Sequence, residues 1–72
     1  MSNADDIVLF YAAANAVEQV AADPAGMHDD DVALVNSLRG IAHDLEAGRP
    51  VPDLESQKAR ARKFIEILKE KS

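Results

Sequence analysis

Seventy-two residues, a formal charge of −5 and no cysteine leave room for one domain, exclude disulfide stapling and argue against a nucleic-acid binder, which is normally basic. Twenty large apolar residues after position 1 and 13 alanines are enough for a single small core. A chain of this size buries only roughly 60% of its unfolded surface, so added stability from a partner or from dimerisation is expected.

The first segment, about residues 4–22, reads as a helix. Ser2 or Asn3 is placed to cap it, and Asp5 and Asp6 occupy the first turn, where the helix dipole favours negative charge. The block "IVLFY" alone fits a strand, but the "AAANAVEQVAA" that follows is dominated by the strongest helix former. At about 100° per residue, Ile7, Phe10, Ala14, Val17 and Ala21 share one face, widened by Leu9, Ala13 and Val20. Val8, Tyr11, Asn15 and Glu18 fall on the other side, where the core has no evident need of a valine and a tyrosine.

"DPAG", residues 23–26, breaks the chain. A second helix is predicted over about 30–47, with Asp29 as N-cap, Asp30 and Asp31 in the first turn, and Gly48 as the stop. Leu34, Leu38, Ile41 and Leu45 form its apolar stripe, with Val35 and Ala42 at the edge and Asn36, Arg39 and His43 opposite. Gly40 in mid-helix is unfavourable by roughly 1 kcal/mol relative to alanine; it either allows a close helix approach or carries no structural meaning. "GRPVPD", residues 48–53, is the second break, and a third helix is predicted over about 54–71 with Asp53 as its N-cap. Leu54, Ala61, Phe64, Ile65 and Leu68 face inward; Lys58, Arg62 and Lys69 line one flank. Short connections make successive helices antiparallel. The expected fold is all-α, a compact three-helix bundle in one domain over 1–72; the alternative is a helical hairpin whose third helix packs on a second subunit.

Little here supports catalysis. None of Ser2, Ser37, Ser56 and Ser72 lies in a nucleophile motif, and there is no glycine-rich phosphate loop. The segment His43-Asp44-Leu45 is similar to the phospho-accepting stretch of sensor kinases or to the helix of histidine phosphotransfer domains, but the basic residue and proline of the first motif and the lysine-glycine of the second are missing, so His43 reads as a surface histidine. Consecutive aspartates at 29–31 splay apart and lack the alternating ligands and internal glycine of a calcium loop. No enzyme activity, cofactor or metal is expected. No apolar run approaches the roughly 20 residues of a membrane span, and "MSNADDIVLFYAAA" carries acids where a secretion signal needs positive charge; a cytoplasmic location is expected.

Charge distribution is the strongest functional signal. Seven acids (Asp5, Asp6, Glu18, Asp23, Asp29, Asp30, Asp31) precede the first base, Arg39, while six bases against two acids follow from Lys58 onward. The acidic part repels nucleic acid and attracts basic surfaces. The bases of "KARARK", residues 58–63, spread around a helix and are expected to pair with the acidic helices rather than bind nucleic acid. The candidate partner-binding set is Asp5, Asp6, Val8, Tyr11, Asn15, Glu18, Asp23, Asp29, Asp30 and Asp31. In size, acidity and lack of motif or cysteine the chain resembles small phage-encoded inhibitors such as anti-CRISPR proteins, some of which mimic DNA. That resemblance implies an inhibitor that occupies the basic surface of a nucleic-acid-binding effector subunit and blocks DNA recognition. The competing expectation is a homodimeric helical adaptor, co-chaperone or antitoxin-like assembly partner, in which Val8 and Tyr11 matter more than the aspartates.

Overall fold

The computed structural model describes residues 4–21, 26 and 28–71. It is a three-helix bundle of α1 (Ala4–Ala21), α2 (Asp29–Glu46) and α3 (Leu54–Lys71), with no strand among the described residues. The proposed caps Ser2 and Asn3, and the acid Asp23, lie outside the described residues.

Helix α1 is the central element. It buries Phe10, Ala13, Ala14, Ala16 and Val17, a wider arc than one neighbour can cover, and its alanines let two helices approach closely. Both α2 and α3 pack on it, but they barely touch each other. Tyr11 meets His43 and Glu18 meets Arg39, so residue numbers run in opposite senses and α1 and α2 are antiparallel. Asp6 pairs with Lys58, and Val17 and Val20 share a groove with Phe64 and Ile67, so α1 and α3 run parallel. The radius of gyration is 12.3 Å, above the roughly 11 Å of a tightly packed chain of this length. The excess fits a bundle that is open between α2 and α3.

The start of α2 differs from expectation. Asp29 is not the N-cap: His28 is, with extended backbone (φ −67°, ψ 151°) and no side-chain cap bond, and its carbonyl accepts from the N–H groups of Asp31 and Val32 at 3.0 Å. All three aspartates therefore sit inside the first turn, where each favours the helix through the dipole by roughly 0.3–1 kcal/mol. The end of α2 is the predicted glycine stop. Gly48 adopts φ 74°, its N–H donates to the Leu45 carbonyl (3.1 Å) and the Arg49 N–H donates to the Asp44 carbonyl (2.8 Å). That is a Schellman closure, reinforced by Arg49 Nη1 on Asp44 Oδ1 at 3.2 Å.

The buried stripe of α2 is also rotated from its predicted position. Val35, Leu38, Ala42 and Leu45 are buried, whereas Leu34 and Ile41 are only half-buried. The reason is that α1 alone covers α2, so the flank carrying Leu34 and Ile41 lacks the neighbour that a closed bundle would supply. Gly40 does not mark a close approach: a Cβ placed there meets nothing within 4 Å. In α3 only Ala61 is fully buried, with Leu54, Phe64 and Ile65 partly covered. The Asp53 carbonyl accepts the first helical N–H, from Gln57 at 3.0 Å, but Asp53 has φ 53° rather than the extended backbone of an ordinary N-cap.

Candidate functional site

The structure divides the candidate partner-binding residues among three places. The first is the α1/α2 seam. Val8, Tyr11, Asn15 and Glu18, three or four residues apart, line one side of α1. From α2, the seam is met by Arg39, His43 and Glu46. Tyr11 stands edge-on to His43, ring centroids 5.9 Å apart and nearly perpendicular, with its hydroxyl 3.5 Å from His43 Nδ1. The Tyr11 phenol is raised above its ordinary pKa, first because it donates to the Glu46 carboxylate, then through desolvation and the negative charge of Glu46, with Arg39 pulling the other way. The Glu18–Arg39 ion pair closes the seam further along. Tyr11 thus covers an edge of the bundle, and Glu18 is neutralised within the fold. Val8 stays 66% exposed. The residues that sequence reasoning missed here are Glu46 and the inward-acting Arg39; an acid and a base at helical spacing on the side of α2 opposite its stripe were the available signal.

The second place is the end formed by the N-terminus of α1, the C-terminus of α2 and the N-terminus of α3. It gathers Asp5, Asp6, Asp44, Glu46, Asp53 and Glu55 against Arg49 and Lys58 among the described residues. Asp6 is drawn to the α3 side, where Lys58 Nζ lies 3.4 Å from its Oδ1 and 3.5 Å from Glu55 Oε1. Six acids against two bases make this end acidic, and four of the six acids come from residues after Arg39.

The third place is the opposite end, where α2 begins. An 18-residue helix separates Asp5 from Asp29–Asp31 by about 27 Å, several times the Debye length of about 8 Å at physiological salt. The two acidic groups do not act as one field. At this third place α2 and α3 leave an apolar groove of about 160 Å³, floored by Ala16, Val17, Val20 and Ala21 and walled by Leu34 on one side and by Phe64 and Ile67 on the other. Among the described residues Asp31 is the one charged residue lining it; Asp29 and Asp30 precede it in the first turn of α2 and are exposed. Among the described residues none of the three pairs with a base. Arg60 and Lys63, exposed on α3, lie along the other lip by helical spacing from Phe64 and Ile67. Gln57, one heptad before Phe64, carries a buried Oε1 without a partner among the described residues.

The groove is too small for a drug-sized ligand, whose sites run roughly 300–1,000 Å³, but it suits one or two apolar side chains of a docked segment. Among the described residues no group of three or more His, Asp or Glu is placed to hold a metal, and no helix is long and apolar enough to cross a membrane. No family model, curated protein or solved structure matches this chain.

Proposed function

We propose that the chain is a small acidic protein-binding module that takes a cationic, partly apolar segment of a target into the groove between α2 and α3. In the inhibitor form of this reading, the target is a nucleic-acid-binding protein whose basic surface is occupied by carboxylates in place of phosphates, so that DNA recognition is blocked. One observation carries the proposal: an apolar groove whose single lining charge among the described residues is Asp31, with Asp29 and Asp30 exposed and unpaired among those residues in the same helical turn. One or two acids would satisfy the helix dipole; the third places a carboxylate against apolar wall. A partner offering a Leu or Phe beside a Lys or Arg meets both features, and its charged contact accelerates encounter and weakens with salt.

The test is affinity capture from a host lysate at low and high salt, compared with the triple variant Asp29→Asn, Asp30→Asn, Asp31→Asn. The expected result is a captured protein that binds nucleic acid, is released as salt rises, and is lost with the triple variant while helicity is kept. Capture that is indifferent to the three substitutions overturns the proposal and leaves the aspartates as dipole partners of α2.

A further inference from the structure

We infer that α3 is exchangeable between two copies of the chain, giving a dimer in which each groove is built from α1 and α2 of one copy and α3 of the other. The first observation is that α3 is held by α1 almost alone and barely touches α2. Detaching it therefore breaks one interface, and a second copy offers the same interface in full. The second observation is the connector. The chain reversal between α2 and α3 needs two left-handed residues, Gly48 at φ 74° and the non-glycine Asp53 at φ 53°. Asp tolerates that region better than most residues, but it is still unfavourable, and short strained hinges favour exchange. Pro50 and Pro52 lie between them, and proline disposes a segment to extended backbone at about 3.1 Å per residue. Straightened, residues 47–53 span on the order of 20 Å, enough to lead α3 away from its own α1.

The third observation is polar. Asp6 and Lys58, with side chains 23% and 16% exposed, form an ion pair between α1 and α3, and the exchanged arrangement re-forms it between copies. Phe64 and Ile67 then come to each groove from the partner copy, so the dimer carries one groove per chain with unaltered walls. The connector emerges at the end that gathers six acids against two bases among the described residues, so salt, by screening that end, favours the exchanged form. Exchange of α3 is independent of what the groove binds.

Two variants at the hinge test it by sedimentation. Asp53→Pro fixes φ near −65° and forbids the closed turn, whereas Asp53→Gly relieves it. The expected result is a helical dimer for Asp53→Pro, with a dimer dissociation constant at least tenfold below that of the unaltered chain, and a monomer for Asp53→Gly. A folded monomeric Asp53→Pro, or one that unfolds without associating, overturns the inference. Charge exchange supplies the second arm. Asp6→Lys and Lys58→Asp each place like charges together within a closed chain, but refolding the two variants mixed restores both ion pairs across chains. A heterodimer in excess of either homodimer by native mass spectrometry is expected; a mixture of two monomers contradicts exchange.

Discussion

The two sides of the bundle are built from the same helical material and end differently. Along the α1/α2 seam, a buried row of Val35, Leu38, Ala42 and Leu45 is sealed at its outer edge by Tyr11 on His43 and by Glu18 on Arg39. On the α2/α3 side Leu34, Phe64 and Ile67 line an open groove among the described residues. The difference teaches that α1 organises the fold by itself: two helices adhere to its alanine-rich surface and need not adhere to one another. Where they do, side chains are committed to structure. Where they do not, apolar surface and carboxylates unpaired among the described residues stay open to solvent.

Truncation breaks the comparison most strongly. Leu38→Ala, at a fully buried position on the closed side, is expected to destabilise by about 2–5 kcal/mol. Phe64→Ala, at a half-buried position on the open side, should lose less than half as much despite removing a larger side chain. Chemical denaturation of both variants reads the ratio, and equal losses would mean that the groove is closed in solution. Gly40→Ala comes next. With open space around the added methyl, it should stabilise by about 1 kcal/mol without altering either side, raising the thermal midpoint.

The seam's ion pair has a smaller effect. Both side chains of Glu18 and Arg39 are about two-fifths exposed (37% and 42%), so solvent screening limits Glu18→Gln to about 0–1 kcal/mol, and that loss should vanish in high salt. The smallest change concerns the single tyrosine. The Tyr11 phenol is raised by its bond to Glu46, so the folded state holds this proton more tightly than the unfolded chain. The corresponding stability is fully present below the unfolded pKa and is lost as pH rises through the folded one. An ultraviolet titration should find ionisation above the ordinary phenol value, moving down toward it in Glu46→Gln.

Much of this architecture is legible in the amino-acid sequence. Pro and Gly at 24, 26, 48, 50 and 52 punctuate the chain, so the helix limits fall within a residue or two of expectation wherever the chain is described. The inward face of α1 follows from its 3.6-residue period, and Val8 and Tyr11 stand out as apolar residues on the far side. Three things are not legible there. His28 rather than Asp29 caps α2, because extended backbone at that position is decided by how the chain enters the helix and not by the side chain's capping ability. The rotation of α2 toward Val35 and Ala42 depends on α3 being elsewhere, which periodicity within one helix cannot encode. The make-up of the acidic end is the third: charge counted along the chain groups Asp5 with Asp29–Asp31, whereas the antiparallel packing expected of short connections puts them at opposite ends and brings Asp44, Glu46, Asp53 and Glu55 to Asp5 and Asp6.

Native-state hydrogen exchange tests most directly the claim that α3 is held by α1 alone while α1 and α2 form the sealed half. Amides of α3 around Ala61 should exchange through a local opening, at a free energy clearly below that of amides around Leu38 and Ala14. Equal protection across all three helices would contradict it, because a third helix locked on both sides opens only when the whole domain unfolds.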